Sequence, residues 1–226
     1  MNFGNFLKNH WLLIVVFLTG TAVLVVEVTG VRILSTYFGN TIYTVSGVIG
    51  VILAALSVGY ARGGAIADKN PTRYEFFRTI EKGGIGLLTL FILMIILAPP
   101  LTLMLPLSWG PFVLALILFF APNYFLGMLS PFAIKLGQLE YPHTGTGTIS
   151  GRVFFWSTCG SLFGTIFTAF VLIPQLGLNA IIFGTTLAVL LIGTIGKILT
   201  DGASKRIQHF ILFVFLLIVL CLFFLY

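Results

Sequence analysis

Apolar residues run along this chain in blocks of roughly twenty, parted by short polar turns. At 1.5 Å per residue an α-helix of that length crosses the ~30 Å hydrocarbon core of a bilayer. The pattern predicts seven spanning helices, at 11–35, 42–65, 83–98, 112–134, 152–173, 178–197 and 209–226. The expected fold is an all-α polytopic membrane bundle, one transmembrane domain over residues 1–226. With 58% hydrophobic and 8% charged residues, no stretch remains for a soluble domain of useful size.

The charges set an orientation. With the N-terminus in the cytoplasm, Lys8, Arg62, Lys69, Arg73, Arg78, Lys82, Lys135, Arg152, Lys197, Lys205 and Arg206 all fall inside. The opposite turns, around Gly39–Thr41, Pro99–Gly110 and Pro174–Leu178, carry no Lys or Arg, and only Arg32 faces outward. This predicts an N-in, C-out, multi-pass protein of a prokaryotic plasma (inner) membrane. It also accounts for the net charge of +6 without a nucleic-acid partner. Lys8 and His10 before WLLIVVFL resemble a secretory signal, but the apolar run continues through Val26, so an uncleaved signal-anchor is expected. Cys159 and Cys221 sit in apolar runs and read as small packing residues, with no disulfide or metal pair.

Within the first span, Glu27 and Arg32 interrupt the apolar run. A charge at the bilayer centre costs about 3 kcal/mol on insertion scales, so such groups are paired, turned inward or used. At five residues' separation the two lie about 140° apart around a helix and do not stack. Arg32 is able to snorkel to the interface; Glu27 needs a partner on another helix, or a proton. Counting residues from the turns brings Glu27 level with Ser46–Gly50, Phe120–Asn123 and Thr165–Thr168. Pro122 removes a backbone donor and frees the Leu118 carbonyl, which predicts a broken fourth helix. Glu27, Arg32, Ser46, Asn123 and Thr165 are therefore the candidate binding residues, with mutual structural satisfaction as the competing reading.

The second and fifth segments are rich in small residues, among them Gly47, Gly50, Gly59 and Gly63, then Gly160 and Gly164. Small residues let membrane helices approach closely, so tight packing within one bundle is expected. The turn after the second segment reads Gly64-x-x-x-Asp68-Lys69-x-x-x-Arg73 and resembles the loop between the second and third helices of major facilitator transporters, with Pro71 where that motif prefers glycine. The expectation there is that Asp68 ties neighbouring helix ends through main-chain donors or Arg62, Arg73 or Arg152.

Other stretches extend the likeness: Glu27 to Arg32 followed by Tyr37-Phe38-Gly39, VSGVIGVILAALSVGYARGGAIAD, Ser130-Pro131-Phe132-Ala133-Ile134-Lys135-Leu136, Gly151-Arg152-Val153-Phe154-Phe155-Trp156, and Phe170-Val171-Leu172-Ile173-Pro174. Together they resemble the membrane domain of spermidine-synthase-like proteins, the major facilitator/spermidine synthase fusions, over residues 11–177. Residues 178–226 add two further helices outside the likeness. The resemblance implies the family's membrane function, not its synthase activity, because no strand–loop–helix nucleotide unit occurs here. Gly83-Gly84-Ile85-Gly86 opens a membrane helix instead.

Two functions follow as expectations. One is a transporter-like module for a small cation or polyamine-like amine, with Gly64, Asp68, Arg73, Pro122, Arg152, Gly160 and Gly164 as structural or gating residues. Half the size of a facilitator, it would work as a homodimer or with a partner. The other is a membrane anchor for a separately encoded synthase-like enzyme. No nucleophile–base set, metal cluster or cofactor motif appears, and the bilayer is the remaining partner. The turn from His143 to Arg152, rich in Gly and Thr, offers donors to a phosphate or lipid headgroup.

Overall fold

The computed structural model describes residues 3–200. Six spans are long and apolar enough to cross a membrane: His10–Phe38, Ile42–Lys69, Arg73–Ile96, Gly110–Glu140, Thr146–Gln175 and Leu178–Thr200. The expected seventh helix, at 209–226, lies outside the described residues. The helices are α1 (Phe3–Phe38), α2 (Ile42–Lys69), α3 (Arg73–Ile96), α4 (Ala98–Met104), α5 (Gly110–Gly127), α6 (Leu129–Glu140), α7 (Thr146–Phe167), α8 (Ile173–Gln175) and α9 (Leu178–Thr200). Large apolar side chains such as Leu53, Phe155, Leu162 and Phe170 are exposed, a surface suited to hydrocarbon.

Local chemistry explains the boundaries. Gly39, at φ +77°, makes the α1–α2 turn in a left-handed conformation that favours glycine. Thr41 caps α2 by accepting from the Thr44 N–H, and Thr72 caps α3 by accepting from the Glu75 N–H at 3.2 Å. That cap starts the third helix ten residues before the predicted apolar run. The fourth span breaks at Met128, between α5 and α6, and not at Pro122, which stays inside α5. Pro131 has no N–H to offer the Gly127 carbonyl, so the ladder fails there. The fifth span carries a π-helical turn over Thr168–Leu172, where the Ile173 N–H reaches back to the Thr168 carbonyl. The wider turn gives the Pro174 ring room against the Phe170 carbonyl.

Three pairings dominate the packing: α1 with α7, α2 with α5, and α3 with α9. The first two run parallel. A Cβ on Gly164 would lie 2.6 Å from the Thr21 carbonyl oxygen, and one on Gly160 would strike that of Phe17. Likewise Gly47 meets Pro111–Phe112, while Gly59 and Gly63 meet Tyr124–Met128. The third pair is antiparallel, with Gly84 on Leu190 and Gly193 on Glu81. Backbones thus touch where side chains are absent, as expected of membrane helices. Between the pairs, the fully buried Phe76, Phe91, Phe119 and Phe132 fill the core.

Candidate functional site

Polar order is concentrated at the end of the bundle that holds Trp11. Arg73 lies 4.9 Å from the Trp11 ring centroid and pairs with Glu140 at 2.7 Å. Lys135 pairs with Asp68 at 2.8 Å, and Arg78 with Glu75 at 2.8 Å. Asp68 therefore does join helix ends, α2 to α6, but through Lys135 and not through Arg62, Arg73 or Arg152. A fourth pair lies in the interior: Lys197 Nζ is 2.6 Å from Glu81 Oε2, with both side chains nearly inaccessible.

These pairs engage four of the five carboxylates among the described residues. Glu27 is the fifth; it is half-buried and has neither an ion pair nor a hydrogen bond. It stands on the face of α1 that carries Val16, Gly20 and Val23, spaced by four, three and four residues. Those three residues line a cavity of about 100 Å³ with Leu56 and Tyr60 of α2, Leu126 of α5 and Ser161 of α7. Gly30 abuts the Phe119 ring, and α1 runs antiparallel to α5, so Glu27 is level with Pro122 and Asn123.

The other candidates divide. Asn123 is fully buried; its Nδ2 donates to the Phe119 carbonyl at 2.8 Å, and its Oδ1 has no partner. Thr29 and Thr168 likewise bury hydroxyl oxygens without a partner. Thr165 is half-buried and donates to Ser161 of its own helix. Ser46 is exposed, as is Arg32 near the opposite end of α1. No hydrogen bond links Glu27, Arg32, Ser46, Asn123 and Thr165 to one another, so these residues do not satisfy each other as the competing reading had it. Gly64 lies 3.9 Å from Pro131 as judged by a Cβ, while Pro122 accepts the close approach of Gly86. Arg152 is exposed and has no ion pair.

Sequence reasoning missed Glu81 with Lys197. Glu81 precedes the apolar run that marked the third span, and Lys197 served only as a topological signal. The available clue was the glycine pattern of α9, where Gly193 lets Glu81's backbone approach and Gly196 sits against Phe77. The chain matches no family model, no curated protein and no solved structure.

Proposed function

We propose that the chain is a transporter-like membrane module for a small cation or amine, with Glu27 as its acidic binding group. The carrying observation is that Glu27, alone among the described carboxylates, has no counter-charge while standing deep in an apolar span. A carboxylate kept there without a protein partner suits a cationic ligand or a proton. Asn123, on α5 at the level of Glu27, offers an unengaged acceptor of the same polarity.

The helix pairing supports this reading. Exchanging the first three spans with the last three turns the first–fifth pair into the fourth–second pair and leaves third–sixth unchanged. Such exchange is the mark of two three-helix units in opposite orientation, as in half of a major facilitator. The reading also takes the N-in orientation in an inner membrane from the loop charges, and a polyamine as the amine from the likeness to the spermidine-synthase-like membrane domain. By size the working unit would be a homodimer or a complex.

The anchor reading draws on one observation: Arg62, Lys69 and Arg152 are exposed at the Trp11 end without carboxylate partners, a basic surface for a synthase-like enzyme. Reconstituted vesicles separate the two. Spermidine or putrescine uptake should be present in the native chain and lost in Glu27→Gln, which keeps the shape and removes the charge. Uptake that survives Glu27→Gln, or is absent from the native chain, rejects the transport reading.

A further inference from the structure

A second cavity, of about 540 Å³, opens at the Trp11 end, where the start of α1, the end of α6, the turn before α7 and the first turns of α7 meet. It is distinct from the cavity beside Gly20 and Val23, does not include Glu27, and falls in the size range of small-molecule sites. Its lining is two-sided. Arg152, His10, Tyr141 and Thr144 supply polar groups, whereas Leu12, Val153 and Trp156 form an apolar wall.

Arg152 is the informative member. Among the described residues its guanidinium makes no hydrogen bond or ion pair, and the carboxylates Asp68, Glu75, Glu81 and Glu140 at this end are already engaged by other cations. Arg152 is itself exposed, so a ligand can reach it. Trp156 stands one helical turn further into the span, and tryptophan favours the level where headgroups meet acyl chains. Arginine's planar fork matches a phosphate's oxygens. The charge is thus held at headgroup depth with an apolar wall directly beneath it.

We infer that this cavity binds an anionic phosphate-bearing amphiphile, its phosphate on Arg152 and its apolar part along Leu12, Val153 and Trp156. The site is independent of Glu27 and of any transport by the chain.

The test uses the full chain in neutral detergent, with phosphatidylglycerol or zwitterionic phosphatidylcholine added and bound lipid counted by native mass spectrometry. Phosphatidylglycerol should bind about tenfold more tightly than phosphatidylcholine; Arg152→Gln should remove that preference and Arg152→Lys retain part of it. Arg62→Gln, at the same end but outside the cavity, should bind as the native chain does. Competition by millimolar inorganic phosphate would identify a soluble phosphate compound as sufficient for the site; lack of competition would identify the lipid. Because misfolding would also abolish binding, brominated phosphatidylglycerol provides a second measurement on the native chain. It should quench a fluorescence component that Trp156→Phe lacks. Equal binding of the two lipids, unchanged preference in Arg152→Gln, an equal loss in Arg62→Gln, or quenching indifferent to Trp156→Phe would each overturn the assignment.

Discussion

Lys197 Nζ lies 2.6 Å from Glu81 Oε2, and the two side chains are 5% and 8% exposed. The pair joins α9 to α3, with the Tyr74 ring 5.8 Å from the ammonium. Removing one partner leaves an uncompensated charge in the interior, which typically costs about 3–5 kcal/mol. Lys197→Met should therefore lower thermal stability in detergent sharply. The double variant Glu81→Gln/Lys197→Met should recover much of the loss, and a double variant as unstable as the single one would contradict the pairing.

The α1–α7 seam depends on missing side chains. Thr21 Oγ1 donates to the Gly160 carbonyl at 3.0 Å, a bond that exists only while the backbones touch. Gly160→Ala and Gly164→Ala should each cost about 1–3 kcal/mol through overpacking. Gly50→Ala is the matched control, since a Cβ there meets nothing within 4 Å. Melting curves of the three variants check the order.

Asp68 should matter less to stability than its motif suggests. Its side chain is 70% exposed and its partner Lys135 34%, so solvent screens the pair. Asp68→Asn is expected to cost about 0.5 kcal/mol or less. A large drop in melting temperature would show that Asp68 has a further role at the turn between α2 and α3.

Glu27 should behave in the opposite way to Glu81. A half-buried carboxylate with no partner contributes a desolvation cost and no compensating bond, so Glu27→Leu should stabilise the fold by on the order of 1 kcal/mol. Raised stability with lost uptake would mark a residue retained for ligand chemistry. Destabilisation by Leu would instead mean that Glu27 holds the bundle together.

Orientation is checked by single cysteines in a background lacking Cys159 and Cys221. Asn70 and Ser108 are both exposed, at opposite ends of the bundle. An impermeant thiol reagent applied outside the cell should modify Ser108→Cys and spare Asn70→Cys; the reverse labelling would invert the proposed topology.

The spans were legible because apolar runs of bilayer length have few alternative explanations. Their interruptions were read less well. Pro122 looked like the break, yet an interior proline was accommodated beside Gly86, and the ladder failed where Pro131 follows Gly127. Depth counting along straight helices brought Glu27 to the level of Asn123, as the structure also has it. It did not tell which way side chains face, and Ser46 turned out to be exposed. The Glu81–Lys197 pair needed the antiparallel register of α3 and α9, which no single segment encodes.

Among the described residues all four ion pairs are gathered near Trp11, three of them between helices and Arg78–Glu75 within α3, while the turns at Gly39, Pro99 and Leu176 hold none. Mechanically the bundle is riveted at one rim and merely in contact at the other. Parting the helices from the Gly39 rim breaks no charge pair, and parting them from the Trp11 rim disrupts several. The two directions of opening are therefore unequal in electrostatic cost, and salt, which weakens exposed pairs such as Lys135–Asp68 most, loosens only the riveted rim.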